Sequence, residues 1–229
     1  MTMRRPALLA LALAAATPAL APAPAQPPRP AAPPAPLALA PEAAKLDEAT
    51  AVERTNGYLN SVRVLTGDFV QFGADGRRYE GKLYIQKPGK LRFEYKAPSP
   101  LEIVSDGSSV VVRDRKLNTQ DMYAIGQTPL KFLLKDRIDL AKDSRVLRVA
   151  SDRDAVNVVI EDKATLGGTS RISLFLDPGT YALKRWIIRD PQGYETNVAL
   201  SNLDTAGKVD PALFTINYQR DIVGESANK

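Results

Sequence analysis

Side chains that usually carry catalysis are scarce in this sequence. The chain contains no histidine and no cysteine, which excludes imidazole triads, thiol nucleophiles and zinc sites built from either residue. Carboxylates or a Ser-Lys pair remain, and two carboxylates can flank a glycosidic bond. The four candidates lie on different predicted strands: Asp68, Glu80, Glu94 and Glu102. Their spacing does not demand a catalytic pair, so we favour the alternative that they are solvated residues on the outer faces of one-sided strands.

Motifs for cofactors are also missing from the sequence. It has no calcium-binding loop, no glycine-rich phosphate loop and no dinucleotide fingerprint. The formal net charge is +5, with Lys and Arg spread along the chain, which favours an anionic partner only weakly and argues against nucleic acid. We therefore predict a protein that binds rather than catalyses, with no cofactor and no metal.

The segment Gly81–Tyr95 is the clearest candidate for binding. It has two runs of alternating apolar and polar residues on either side of Pro88-Gly89, which is typical of an antiparallel hairpin with one apolar face. Proline presets the first central position of a type II turn, and glycine tolerates the positive φ at the second. The apolar face either packs in an ordinary core or lines a cavity, and it consists of Leu83, Ile85, Leu91, Phe93 and Tyr95.

Other elements must hold this face in place. The stretch 42–62 has an apolar stripe at helical spacing and acidic residues early, which predicts a long amphipathic helix. Thr128 as a cap and Pro129 at the first helical position predict a short helix that ends at Leu134. A further short strand is expected after Phe214.

From Leu65 onward the apolar period changes to two, and turn residues separate the runs. About eleven strands and few helices predict an α+β domain, mainly antiparallel, and a sheet of this size tends to curl into a barrel or half-barrel. The predicted strands are 66–72, 79–86, 90–95, 101–105, 109–113, 117–123, 145–150, 155–161, 170–176, 183–189 and 195–203.

The N-terminal part of the chain is expected to be an export signal. Residues 1–25 combine Arg4-Arg5, a short apolar run and small residues around Ala23-Pro24-Ala25. An uncleaved membrane anchor is the alternative, but the apolar run is too short to span a bilayer. Residues 26–41 are almost entirely Ala, Pro and Leu and predict a semi-extended linker, which leaves 42–229 as one folded domain.

Several short motifs follow one another in an order that resembles a known family. From Leu46 to Phe214 the chain is similar to the periplasmic outer-membrane lipoprotein carriers, the LolA-like proteins. The family typically has a Phe-x-Gln element, Gly-x-Leu, and an Arg-Pro-Gly followed by alternating aromatic residues. The matching fragments here are Tyr58-Leu59-Asn60-Ser61-Val62, Gly67-Asp68-Phe69-Val70-Gln71, Gly81-Lys82-Leu83, the run 87–95, Pro98, Ile103-Val104-Ser105-Asp106-Gly107, Thr128-Pro129-Leu130 and Asp190-x-x-Gly193.

The resemblance implies an unclosed barrel of about eleven strands, capped by a long N-terminal helix and short helices, whose apolar interior takes the acyl chains of lipoproteins. The helix from Glu42 and the segment 130–134 would form a lid over this interior. The residues expected to line a partly empty cavity are Leu83, Ile85, Leu91, Phe93, Tyr95, Ile103, Leu130, Leu133 and Leu134.

The resemblance also implies partners and a compartment. The protein would be a periplasmic monomer that takes acylated lipoproteins from an inner-membrane lipoprotein-releasing ABC transporter. It would deliver them to an outer-membrane acceptor or to the outer membrane directly. Two alternatives stay open: a regulator on the same barrel that senses envelope stress or lipid without moving it, and a hydrolase that uses carboxylates.

One residue departs from the family pattern. Lys87 stands where the family has an arginine that is implicated in lid contacts and in the uptake and release of cargo. Lysine keeps the charge but lacks the planar fork that can bind several carbonyl groups at once. The resemblance therefore implies a role for Lys87 in the lid and in release, and a solvated turn residue is the alternative.

Overall fold

The computed structural model describes residues 47–218. The predicted export signal, the predicted linker and residues 42–46 of the predicted helix lie outside the described residues, as do residues 219–229.

All strands belong to one antiparallel sheet. The eleven strands are β1 (Val64–Phe72), β2 (Arg78–Gln86), β3 (Lys90–Tyr95), β4 (Leu101–Asp106), β5 (Ser109–Asp114), β6 (Thr119–Ala124), β7 (Arg145–Ser151), β8 (Val156–Thr165), β9 (Gly168–Leu176), β10 (Leu183–Arg189) and β11 (Glu195–Asp204). Their order in space is β6-β5-β4-β3-β2-β1-β11-β10-β9-β8-β7. The first and last strands therefore pair at the centre, β6 and β7 are the two edges, and the sheet does not close between them.

The sheet is strongly curled. Strands β3 and β10 lie four strand spacings apart, which is about 19 Å in a flat sheet. The ring centroids of Phe93 on β3 and Trp186 on β10 are nevertheless only 6.4 Å apart. Both side chains are buried in one apolar cluster. The two halves of the sheet thus face each other across a shared interior, which confirms the predicted unclosed barrel.

Within the described residues, three α-helices accompany the sheet: α1 (Glu48–Ser61), α2 (Lys131–Leu134) and α3 (Leu140–Asp143). The Asp47 carboxylate caps α1 by accepting a hydrogen bond from the Thr50 backbone N–H at 2.9 Å. Helix α1 buries one face, which includes Ala51, Val52 and Leu59, in the interior cluster. Short 3-10 helices occupy Ile125–Gln127 and Pro211–Phe214.

One local prediction was wrong, and another is only partly covered by the described residues. Thr128 does not cap α2: its hydroxyl donates to the Ile125 carbonyl at 2.9 Å and ends the preceding 3-10 helix, while Leu130 precedes α2 without a side-chain cap. Helix α2 has only four residues, and all but the first are buried, so packing holds it in place. Residues 215–218, the described residues after Phe214, form no strand, and the rest of the predicted final strand lies outside the described residues.

In the described part of the chain, residues 205–218 cross the outer face of the sheet after β11. Phe214 is buried, and the 3-10 helix that it ends contacts β3 and β4. Arg92 donates a hydrogen bond to the Leu213 carbonyl at 3.2 Å. This face offers side chains rather than free backbone groups, because the inner strands already pair on both sides, so no further strand can form there.

The four candidate carboxylates lie on the outer face as well. Asp68 pairs with Lys82 at 2.6 Å and Glu102 pairs with Arg92 at 2.7 Å, while Glu80 forms an ion pair with Arg78. The remaining one, Glu94, is exposed and accepts a hydrogen bond from the Tyr84 hydroxyl at 3.3 Å. None of the four carboxylates faces the apolar interior.

Candidate functional site: an apolar interior under a helical lid

The predicted cavity residues converge on one apolar cluster inside the curled sheet. Seven of them are buried members of that cluster, and Ile103 and Leu130 are partly buried and pack against it. The register explains the convergence on the sheet side: Leu83 lies opposite Phe93, and Ile85 lies opposite Leu91. Side chains at alternate positions share one face of a strand, so one register places all four inside.

Aromatic rings form the part of the interior next to β1. The ring centroid of Phe69 lies 5.0 Å from that of Phe93 and 5.1 Å from that of Tyr95, and both pairs meet edge to face. The Tyr95 hydroxyl donates to the Gln71 side-chain oxygen at 2.8 Å. Burial raises the pKa of Tyr95 far above its ordinary value, so this phenol is neutral at physiological pH.

Three large residues of the interior were not predicted from the sequence as part of the site: Phe69, Phe132 and Trp186 are all buried in the same cluster. Phe69 belongs to the Phe-x-Gln fragment and carried a usable signal, because it alternates with Leu65 on β1. Phe132 packs against Trp186 with ring centroids 6.3 Å apart. Nothing in the local sequence places α2 beside β10, so that contact could not be anticipated.

Helix α1 and residues 131–143 lie over the interior, and we call these two segments the lid. Side chains of α1 join them to each other. Asn60 donates to the Ile138 carbonyl and accepts from the Ile138 backbone N–H, both at 2.8 Å. Asn56 accepts from the Leu140 backbone N–H at 3.0 Å, and Arg63, just after α1, pairs with Asp136. The second half of α1 and Arg63 shortly after it are thus bonded to residues 136–140.

Lys87 connects the lid to the sheet at the turn between β2 and β3. Its ammonium donates to the Leu59 carbonyl in the last turn of α1, where a positive charge complements the helix dipole. Burial, and after it the positive charge of Arg63, lowers the pKa of Lys87 to about 8, while Asp136 acts in the opposite direction. Lys87 is therefore half-buried against the lid rather than free in solvent.

Further contacts tie the lid to the sheet. The Gly89 backbone N–H donates to the Leu134 carbonyl at 2.8 Å, and Gly89 has the positive φ of 77° that the sequence predicted. Lys131 on α2 pairs with Asp162 on β8 at 2.8 Å, and both side chains are largely buried. On the other side, Arg54 of α1 donates to the Gly179 carbonyl at 2.8 Å. Polar contacts thus hold the rim of the lid, while apolar contacts fill its centre.

The interior is closely packed while the lid covers it. A cavity of about 20 Å³ lies where α1 meets β1 and β2, and it is lined by residues that include Leu59, Ile85, Lys87 and Leu133. A second cavity of about 20 Å³ lies beside Lys131 and Asp162. Each has room for about one water molecule, so a larger apolar group can enter the interior only when the lid moves.

Within residues 47–218, no cluster of acidic side chains could hold a metal ion. No helix in that same part of the chain has the length and apolar character needed to cross a membrane.

An open antiparallel sheet curled around an apolar interior, with a helical lid over it, defines a class of barrel-like binding proteins. The sequence model described as "Outer membrane lipoprotein carrier protein LolA" matches residues 60–217. That match covers well over half of the chain, and the chain belongs to this family.

The chain is also similar to individual proteins and to a solved structure. The outer-membrane lipoprotein carrier protein of Methylococcus capsulatus is 30% identical over 176 residues, which cover 73% of this chain and 83% of the relative. The outer-membrane lipoprotein carrier protein of Dechloromonas aromatica is 28% identical over 191 residues, which cover 79% of this chain and 90% of the relative. The crystal structure of a LolA superfamily protein from Nitrosomonas europaea is 11% identical, covers 73% of this chain and 98% of its own, and superposes with a TM-score of 0.41.

Proposed function

We propose that this protein carries lipoproteins across the periplasm with their acyl chains in the interior of the curled sheet. The predicted cavity residues would contact the chains after the lid moves aside. Supply by an inner-membrane lipoprotein-releasing ABC transporter and delivery to an acceptor or to the outer membrane itself belong to the same proposal. The names of the relatives support the class of cargo, and the apolar interior supports the acyl chains as the part that is bound.

The observation that carries the proposal is how the interior is covered. In this fold the apolar face of the sheet is closed by two helical segments that are fixed at their rims by a few polar contacts, among them those of Lys87, Gly89 and the Lys131–Asp162 pair. A cover of this kind can separate from the sheet without breaking any ladder hydrogen bond. It can therefore open while the barrel itself stays folded.

The free-energy cost of exposing an acyl chain to water requires such a cover. Each buried methylene contributes about 0.8 kcal/mol, so exposing an acyl chain of some sixteen carbons to water costs on the order of 12 kcal/mol. A carrier must hide most of this surface and still release it. With the lid closed, its own apolar residues fill the space, and incoming chains would replace them, so uptake exchanges one set of apolar contacts for another.

Trp186 allows a direct test because it is the only tryptophan in the chain. It is 1% exposed and contacts the lid through Phe132 and the sheet through Phe93. The exported protein, stripped of lipid, is titrated with a fatty acid that carries bromine along its chain, since bromine quenches tryptophan fluorescence only at close range. We expect saturable quenching at a fixed stoichiometry, and competition by the unbrominated acid.

The control is an exposed reporter of the same kind: Trp186→Phe combined with Tyr194→Trp, which moves the indole to an exposed turn position. Saturable quenching must disappear in this variant while probe uptake, followed by native mass spectrometry, persists. Absence of quenching and uptake in the parent protein would overturn the proposal. Binding with no transfer of a labelled lipoprotein to acceptor vesicles would support the acyl cavity but favour a lipid-sensing regulator over a carrier.

A further inference from the structure

Five turns lie at one end of the curled sheet. Consecutive antiparallel strands place alternate connections at the same end, and the pairing of β1 with β11 aligns the two halves of the sheet. We call the connections β1–β2, β3–β4, β5–β6, β8–β9 and β10–β11 the rim turns, and they comprise residues 73–77, 96–100, 115–118, 166–167 and 190–194.

The most exposed large apolar side chains of the described residues lie on these rim turns. Leu117 is 69% exposed, Tyr194 is 63% exposed and Leu166 is 57% exposed. Phe72, the last residue of β1, lies next to them in the sheet and is 44% exposed. Single exposed apolar residues are ordinary, but here the three largest exposed fractions among the apolar side chains belong to residues on three different rim turns.

Basic residues surround these apolar tips. The rim turns carry four cations, Arg77, Lys96, Arg115 and Lys116, against two acids, Asp75 and Asp190. Arg115 and Lys116 are exposed and form no ion pair within the described part of the chain. A groove of about 790 Å³, lined by residues that include Arg77, Lys96, Pro98 and Leu117, runs between the first three rim turns.

The opposite end of the sheet differs in both respects. Its connections carry equal numbers of acids and cations: the six acids are Asp136, Asp139, Asp143, Asp152, Asp154 and Asp177, and the six cations are Lys87, Lys131, Lys135, Arg137, Lys142 and Arg153. Tyr181, the large apolar residue of the turn between β9 and β10, is buried there beside Arg54 of the lid. Lys87 and Gly179, which hold α1, also lie at this end. The cationic, apolar-tipped end is thus the one away from these attachments of α1.

We propose that the rim turns dock this protein onto an anionic phospholipid surface. Cations near a membrane gain from the negative surface potential, and leucine and tyrosine side chains favour the boundary between headgroups and acyl chains. The apolar tips stand on separate turns and do not form one continuous face. A fluid lipid surface can receive separate points, whereas a protein interface needs a continuous complementary patch of about 800 Å² on each partner.

Vesicle sedimentation tests this proposal without any cargo, so its failure would leave the carrier function untouched. The exported full-length protein is mixed with vesicles of phosphatidylethanolamine and phosphatidylglycerol in equal parts, and with vesicles of phosphatidylcholine alone. We expect about tenfold stronger binding to the anionic vesicles, with a steep loss on addition of salt. Equal binding to both kinds of vesicle, or none to either, would overturn the proposal.

Two matched sets of variants locate the surface. Leu117→Ser, Leu166→Ser and Tyr194→Ser combined should weaken binding about tenfold, since apolar contact with the membrane scales with buried area, while Met122→Ser, an exposed position on β6, should not. Arg115→Glu with Lys116→Glu should abolish binding, and Arg153→Glu at the opposite end should leave it unchanged. Circular dichroism confirms folding of each variant. Wild-type binding by the rim variants would contradict the assignment, as would equal losses at both ends.

Discussion

Lys87 is a charged side chain held half-buried at the end of a helix, and its titration links pH to stability. Burial lowers its pKa from 10.5 to about 8. Below pH 8 the lysine is protonated in both the folded and the unfolded state. Between pH 8 and 10.5 the unfolded state binds more protons, so the free energy of unfolding should rise with pH across this window. Urea unfolding at pH 7.5, 8.5 and 9.5 measures the effect.

Lys87→Gln is the control, because its side chain can still donate to the Leu59 carbonyl but does not titrate. The raised pKa values of Tyr58 and Tyr95 act in the opposite direction at high pH and are common to both proteins. The difference between wild type and variant therefore isolates the lysine. Parallel pH profiles for the two proteins would show that Lys87 is solvated.

Gly81 is a second residue whose identity is dictated by its surroundings. A Cβ at this position would collide with the Glu94 backbone carbonyl on β3 and come within 2.7 Å of the Phe69 ring. Gly81→Ala should therefore lower the free energy of unfolding by about 2 kcal/mol, because the two strands must separate to admit it. Gly57→Ala is the matched control: nothing lies within 4 Å there, and the helix interior should gain up to about 1 kcal/mol. Similar effects at both positions in urea unfolding would contradict this view of Gly81.

At the scale of elements, Asn60 joins the two segments of the lid. Asn60→Ala removes two hydrogen bonds to Ile138 and leaves both backbone groups unpaired, which should cost about 2 kcal/mol. If the two segments open together, amide exchange should accelerate in α1 and in residues 138–143 alike. Asn157→Ala is the comparison, since the Asn157 side-chain oxygen has no partner among the described residues. Faster exchange confined to Ile138 would show that the two segments move separately.

The buried Lys131–Asp162 pair fastens α2 to β8. Lys131→Met leaves the Asp162 carboxylate buried without its cation and should lower stability by about 3 kcal/mol. The double variant Lys131→Met with Asp162→Leu should recover much of this loss, because an apolar pair needs no compensation for lost hydration. A double-mutant cycle in urea measures the coupling. Additive losses would mean that the two charges act independently, and that the pair does not hold the lid.

At the scale of the whole molecule, a single sheet connects the beginning of the described chain with its end. Phe69 on β1 lies opposite Leu200 on β11, so the centre of the sheet forms only when distant parts of the chain meet. We expect one cooperative unfolding transition, with coincident urea midpoints for far-ultraviolet circular dichroism and Trp186 fluorescence. A lower midpoint for the fluorescence would show that the lid separates from Trp186 before the sheet unfolds.

Much of this architecture was accessible from local patterns. Alternation of apolar residues set eleven strands to within a few residues, except at ends such as Thr165, which lies four residues beyond the predicted end of β8. Strand periodicity is local, and it survives into the structure because one face of each strand is buried. Helix α3 was not predicted, since its four residues carry too little periodicity to be recognised and are held by contacts with α1.

The amino-acid sequence by itself determined which face of each strand is apolar, where the turns fall, and that imidazole and thiol chemistry are excluded, because these properties depend on residue identity and near neighbours. Only the tertiary structure decided that Lys87 bonds to the end of α1, that Asn60 pairs with Ile138, and that five turns share one end. The two contacts join residues 28 and 78 positions apart. Their partners are set by the curl and register of the sheet, which no local pattern contains.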